Sequence, residues 1–229
     1  MPALALDVPA RPEEHPLLGM PRRDAFTTLA LGAATALFFV MVANHVTRAP
    51  IQRLDDRFLR VMEANRSAVL TAIARFFNVL GLVYVTAPIR LAIAGFLAVR
   101  RRWWHFASFV GAVVLAEVSI GALKSLYDRP RPLGGLVHTT GTSFPSGHAI
   151  AASVTVVAGV IALLPEGRRR YAWGAAAVGF SVVMGLSRAY LGAHWLSDAV
   201  AGILLGTSIA LGTAIVLHSI QARTKNAET

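Results

Sequence analysis

Long apolar runs broken by short polar interruptions dominate this chain. Ala25 to Asn44 is uncharged and about as long as the roughly 20 residues a helix needs to cross a bilayer. Further apolar stretches follow at about 78–99, 103–124, 147–164, 171–190 and 196–218. With the first, at about 25–45, they predict six spans and an all-α integral membrane bundle. Between the first two runs, Ile51, Leu54, Phe58 and Val61 recur at helical spacing, with arginines, Asp55, Asp56 and Glu63 on the other side. This predicts an additional amphipathic helix on the membrane surface, with Pro50 in its first turn. Ser67 to Phe77 is also apolar but carries Arg75, which suits a shallow helix leading into the second span.

Residues 1–23 contain five prolines and precede an apolar run that is too long and too late for a cleaved signal peptide. They are expected to form a mobile cytoplasmic tail. A single transmembrane domain over 24–220 and a second cytoplasmic tail over 221–229 complete the expected organisation.

Composition agrees with a membrane protein: 55% of residues are hydrophobic, 15% are charged and mean hydropathy is +0.57. The formal charge of +10 does not point to nucleic acid, because the arginines are scattered through short loops without a basic stripe and interleaved aromatics. The chain has no cysteine, which excludes a disulfide scaffold, a thiolate metal site and a cysteine nucleophile.

Three polar islands hold the candidate chemistry. They are Lys124 with Arg131-Pro132, then Pro145-Ser146-Gly147-His148, then Ser187-Arg188 with His194 and Asp198. Two predicted spans separate the second island from the third, so span parity brings all three to one membrane face. The same parity puts Arg100-Arg101-Arg102 and Arg168-Arg169-Arg170 on the opposite face. Over the whole chain, Lys and Arg divide almost evenly between the faces. The two short triple-arginine loops nonetheless mark theirs as cytoplasmic by the positive-inside rule. The islands and the active site are then extracytoplasmic, with both termini in the cytoplasm.

Individually, each island also has a plainer reading. Ser146-Gly147 at a helix start suits an anion site but equally a simple cap. His194 and Asp198, four residues apart, suit a carboxylate-oriented histidine but equally an interfacial His beside a helix-start Asp. Lys124 and Arg188 suit phosphate binding but equally snorkelling to the interface. Within the spans, Arg90 and Glu117 suit a mutual ion pair, or for Glu117 a place beneath the phosphate site.

Taken together, the islands resemble the three-part signature of the type 2 phosphatidic acid phosphatase superfamily: K-x6-R-P, P-S-G-H and S-R-x5-H-x3-D. Lys124, Arg131, Pro132, Pro145, Ser146, Gly147, His148, Ser187, Arg188, His194 and Asp198 match every position. Arg129 is near enough to compete as a ligand, but Arg131 has the signature spacing. The resemblance implies hydrolysis of a lipid phosphate monoester or diphosphate, such as undecaprenyl diphosphate, phosphatidate or phosphatidylglycerophosphate. It implies His194 as nucleophile, Asp198 as its orienting carboxylate and His148 as general acid and base. Lys124, Arg131, Ser146, Gly147 and Arg188 would bind the phosphate, with neither metal nor other cofactor. The partner implied is a membrane lipid in a bacterial plasma membrane. A lipid phosphotransferase would use the same phosphohistidine. A vanadate-dependent haloperoxidase shares the signature, and a non-enzymatic lipid-binding relative would not need it intact.

Overall fold

The computed structural model describes residues 17–18 and 21–227, and within them it is helical without strands. The helices are α1 (Pro21–Ala43), α2 (His45–Ala64), α3 (Ala68–Leu80), α4 (Val83–Val99), α5 (Trp103–Leu126), α6 (Gly147–Leu163), α7 (Arg168–Tyr190) and α8 (Leu196–Ala227). Four of them, α1, α5, α7 and α8, are long and apolar enough to cross a bilayer unbroken. α3 and α4 make a fifth candidate span only as a pair bent by 53°. α6 has 17 residues, a length of about 25 Å. The six expected runs therefore appear as four unbroken helices, one bent pair and one short apolar helix.

The expected second span, 78–99, divides at Gly81 and Leu82, where α3 ends and α4 begins. The break is also a close contact: a Cβ on Gly81 would stand 2.3 Å from Cδ2 of His148, so only glycine lets the chain pass that ring. Ser67 caps α3, accepting from the Leu70 amide at 3.2 Å. α2 also differs from expectation. It starts earlier, with Asn44 as its cap and Pro50 inside it. Its only buried residue is Asp55, whereas Leu54 and Val61 of the apolar stripe are exposed. The polar flank turns inward because Asp55 meets charged and polar partners there.

α6 occupies the centre, with 12 of its residues buried. Phe109, Ala112 and Ala116 of α5, Ile150, Val154, Ala158 and Ile161 of α6, and Ile209, Ala210 and Ala214 of α8 form the main core. Leu17 and Leu18 join that cluster, and Arg170 Nη2 donates to the Leu17 carbonyl at 2.6 Å. The rest of the expected N-terminal tail lies outside the described residues, except for its last residues, which open α1. At the other end α8 continues past the expected span end to Ala227. The intramembrane pair is present: Arg90 Nη1 meets Glu117 Oε1 at 2.6 Å, and Arg90 Nε donates to Thr155 Oγ1 at 2.8 Å.

An apolar groove of about 810 Å³ runs between α1, α5 and α8 past Gly32, Gly111, Leu123 and Gly212. Phe39 lines it and stacks edge-on against Tyr127 and Phe144, the latter next to Pro145 of the second island.

Gly202 and Gly206 of α8 allow the close approach of α6. A Cβ at Gly202 would sit 2.7 Å from the Ser146 carbonyl oxygen, and one at Gly206 would sit 2.1 Å from Ser153 Oγ. Small residues four apart let helix backbones come together in a membrane. Gly206→Val is therefore expected to destabilise by about 1–3 kcal/mol through overpacking. A thermal unfolding midpoint in detergent at or above the wild-type value would contradict this packing.

Candidate active site

The three islands meet at one end of the bundle. Lys124 lies in the last turn of α5, and the loop from Tyr127 to Ser146 carries Arg129 and Arg131 to the start of α6. Arg188 lies in the last turn of α7, His194 in the following loop and Asp198 in the first turn of α8. Backbone bonds sew these pieces together. The Ser146 amide donates to the Asp198 carbonyl at 3.0 Å, the Ser143 amide to the Arg129 carbonyl at 2.8 Å and the Leu136 amide to the Leu191 carbonyl at 2.8 Å. Gly192, at φ 65°, lies so close to Gly135 that a Cβ would be 3.0 Å from the Gly135 Cα. That crossing needs glycine.

His194 is buried, with 3% of its surface exposed. Its Nδ1 lies 2.7 Å from the Ser143 carbonyl oxygen, and a carbonyl only accepts, so the proton is on Nδ1. Nε2 then carries the lone pair and faces Arg131 Nη1 at 3.2 Å. Burial lowers the His194 pKa to about 4 against the opposing influence of Asp198, which leaves the ring neutral at pH 7. A neutral imidazole with its Nε2 lone pair among cations has the electronic state that a histidine nucleophile requires.

The expectation that Asp198 orients this ring is refined by the geometry. Asp198 Oδ2 is 3.5 Å from Nδ1, farther than the Ser143 carbonyl. The carboxylate is instead held by the Ser143 hydroxyl, the Trp195 amide at 2.9 Å and Arg129 Nη1 at 2.7 Å. It supplies negative charge behind the ring, while a main-chain oxygen sets the tautomer.

Around His194 the remaining signature residues form a cradle. Lys124 Nζ donates to the Thr142 carbonyl at 2.7 Å and keeps two other protons. Arg131 clamps the loop through the carbonyls of Thr140, Gly141, Thr142 and Ala193 at 2.6 to 3.1 Å. Arg188, 3% exposed, donates to Oδ1 of Asn78 through Nη1. Ser146 opens α6, but its hydroxyl makes no capping bond, and the Gly147 amide begins the helix beside it. Ser146 Oγ, His148 Nε2 and Arg188 Nε are buried without a hydrogen-bond partner in the protein. Each such atom costs about 1–3 kcal/mol, and an anion supplying several oxygens satisfies them together. Among the described residues, no three His, Asp or Glu side chains come together to hold a metal ion.

This geometry agrees with the comparisons to known proteins. The profile of the PAP2 superfamily matches residues 103–224, more than half of the chain. The chain belongs to the PAP2 superfamily. Phosphatidylglycerophosphatase B of Bacillus subtilis is 26% identical over 176 residues, covering 74% of this chain and 86% of that protein. Undecaprenyl-diphosphatase of Sulfolobus acidocaldarius is 31% identical over 158 residues, covering 66% of this chain and 72% of that one. Among solved structures, the transmembrane PAP2-type phosphatidylglycerolphosphate phosphatase of Bacillus subtilis superposes with a TM-score of 0.67 at 22% identity. It covers 84% of this chain and 93% of that one. Aquifex aeolicus LpxE gives 0.58 at 23% identity, with 70% and 94% covered.

Several residues at the site lie outside the PAP2 signature, and sequence reasoning missed them or gave them another place. Ser143, two residues before Pro145, touches both His194 and Asp198. Asn78 reaches Arg188 through its side chain, and its backbone faces the His148 ring. Arg129, weighed at first as a phosphate ligand, sits behind Asp198 instead. None of these belongs to a motif, and Asn78 comes from a different span. Ser143 and Arg129 carried a signal, their closeness to the second and first islands; Asn78 carried none.

Gly81 gives a direct test of the PAP2 site geometry. Gly81→Ala introduces a Cβ 2.3 Å from His148 Cδ2 and displaces the ring. A misplacement of about 1 Å costs on the order of 100-fold. The expected result is a kcat for phosphate release reduced about 10- to 100-fold with KM within threefold. Unchanged kcat would show that this glycine does not position His148.

Proposed function

We propose that this PAP2 protein hydrolyses the phosphate or diphosphate head of a membrane lipid through a phosphohistidine. The observation that carries the reading is the lone pair of His194 Nε2 beside Arg131 Nη1 at 3.2 Å, at a site where Ser146 Oγ, His148 Nε2 and Arg188 Nε are buried without a protein partner. The names of the two curated relatives, a phosphatidylglycerophosphatase and an undecaprenyl-diphosphatase, support the substrate class. The reacting lipid is of the undecaprenyl diphosphate, phosphatidate or phosphatidylglycerophosphate class.

The phosphate oxygens contact Lys124, Arg131 and Arg188, the Ser146 hydroxyl and the Gly147 amide. His194 Nε2 attacks phosphorus, forming a P–N bond as the P–O bond to the lipid breaks. His148 donates a proton to the departing oxygen, which leaves as an alcohol or, from a diphosphate, as a lipid monophosphate. The Ser143 carbonyl holds the Nδ1 proton while Asp198 offsets the positive charge that develops on the ring. His148 next removes a proton from water, which attacks phosphorus, and inorganic phosphate leaves with the His194 lone pair restored. Because the charges on the phosphoryl group are met by fixed side chains, little reorganisation is required during the reaction.

The same reading puts the site on the extracytoplasmic side of a bacterial plasma membrane. Support comes from Arg100, Arg101 and Arg102 in the α4–α5 turn and from Arg168, Arg169 and Arg170 at the start of α7. Both turns join the helix ends away from the islands, and short arginine-rich turns favour the cytoplasm. Both termini are then cytoplasmic.

Phosphate release from a panel of lipid phosphates and diphosphates in mixed micelles tests this reading, with His194→Ala as the blank. The substitution is expected to lower kcat by at least ~10³-fold while leaving the unfolding midpoint near wild type. Release of inorganic phosphate comparable to wild type would overturn the nucleophile assignment, and transfer without release would identify a phosphotransferase. Turnover is also expected to survive EDTA and to be inhibited by orthovanadate. Loss of activity in EDTA, restored by a divalent cation, would overturn the metal-independent mechanism.

A further inference from the structure

α2 lies outside the segment matched by the PAP2 profile, yet its one buried side chain points at the catalytic centre. Asp55 is 1% exposed. Its Oδ1 accepts from the Ser197 amide at 2.8 Å. Its Oδ2 accepts from the Ser197 hydroxyl at 2.6 Å and from Arg129 Nη2 at 2.7 Å. Gln52, one turn earlier, accepts from the same nitrogen at 2.6 Å. The other terminal nitrogen, Nη1, donates to Asp198 Oδ1 at 2.7 Å and to Ser197 Oγ at 2.6 Å. Trp195 lies against the guanidinium at 5.5 Å. A continuous buried chain thus runs Asp55, Arg129, Asp198, His194.

The charges in this chain do not balance on their own. Arg129 and Asp198 would form a neutral pair, and a second buried carboxylate leaves a surplus negative charge, which is costly unless something nearby uses it. The groups facing His194 are Lys124 from α5, Arg131 and the Ser143 carbonyl from the connecting loop, His148 from α6, Arg188 from α7 and Asp198 from α8. Most of these charges are positive. When Nε2 bonds phosphorus, the ring also becomes cationic, and the surplus behind Asp198 offsets it.

We propose that Asp55 and Arg129 are positioning residues of the reaction. Arg129 holds the Asp198 carboxylate, and Asp55 anchors Arg129 and supplies the negative charge that supports His194 as it becomes cationic. α2 is on this account a wall of the active site and not solely a membrane-surface helix. The inference rests on the phosphohistidine reading above.

The test uses the full chain in detergent with Asp55→Asn, Arg129→Gln, the double variant and, as a control, Arg53→Ala on the exposed face of α2. Phosphate release from dioctanoyl phosphatidate gives kcat and KM, and histidine-ring NMR gives the titration midpoint of His194. Asp55→Asn is expected to lower kcat about 10-fold or more with KM within twofold. It should also lower the His194 midpoint by about half a unit or more, because removing a negative charge disfavours the cation. Arg129→Gln should lower kcat and raise the midpoint, because Asp198 loses its cation. The double variant, which restores the net charge, should return the midpoint towards wild type while kcat stays low. Arg53→Ala should change neither.

Wild-type kcat in Asp55→Asn, or midpoints that move in the same direction in both single variants, would overturn the proposal. A merely structural role predicts a lower unfolding midpoint without opposed shifts. If Asp55→Asn does not fold, the same opposition is read from Arg129→Gln against the double variant. If the wild type releases no phosphate from any lipid phosphate, the functional reading fails, and the opposed midpoints still decide whether the charge relay exists.

Discussion

The backbone contact between the first turns of α6 and α8 is the constraint on which the site depends. α6 begins with Gly147 and His148 just after Ser146, and α8 begins two residues before Asp198. The Ser146 amide donates to the Asp198 carbonyl, and Gly202, one turn further on, leaves no room for a side chain against the Ser146 carbonyl. Two islands some 50 residues apart in sequence are thereby held at main-chain distance. The fit of Gly206 against Ile150 and Ser153 extends the same contact into the bundle. An error in helix packing deep in the membrane would therefore be felt at the phosphate end.

Cations around the site divide by the kind of partner that holds them. Lys124 and Arg131 are fixed by main-chain carbonyls, and Arg188 by the amide oxygen of Asn78. These neutral acceptors orient a charge without cancelling it, so the field of all three remains available to an anion. Arg129 differs, because Asp55 and Asp198 both contact it. Its charge is spent on the carboxylates. This explains in physical terms why two arginines separated by one proline occupy different places in the chemistry, although composition and spacing made both plausible ligands.

Legibility in the sequence followed the same division. Long apolar runs such as α5 and α8 are self-announcing, because a bilayer demands length and hydropathy from a continuous segment. The break at Gly81 was not, and neither was its contact with the His148 ring, which belongs to another helix. Likewise the stripe of Ile51, Leu54, Phe58 and Val61 revealed a helix but not which flank faces the protein, because Asp55 is drawn inward by Arg129 from 74 residues away. The signature residues were legible as a set because their internal spacings are short. The groups that tune them, the Ser143 carbonyl, Asn78 and Asp55, act through a main-chain atom or from distant segments. A pattern of side-chain types along one stretch carries no mark of such contacts.

The unpartnered polar atoms also bear on the architecture. Ser146 Oγ, His148 Nε2 and Arg188 Nε would be satisfied if rotamers or helix ends relaxed towards nearby carbonyls, as the Ser153 hydroxyl does by bonding to the Ala149 carbonyl. They are held by contacts unrelated to phosphate: Gly202 packs against the Ser146 carbonyl, Gly81 against the His148 ring, and the Asn78 side chain holds the Arg188 guanidinium. The bundle thus accepts a local cost in unmade hydrogen bonds, offset by the packing of α6 among α5, α7 and α8. A phosphoryl group entering such a site meets donors already in place. The stabilisation that water would provide only after reorienting is supplied by the fold itself.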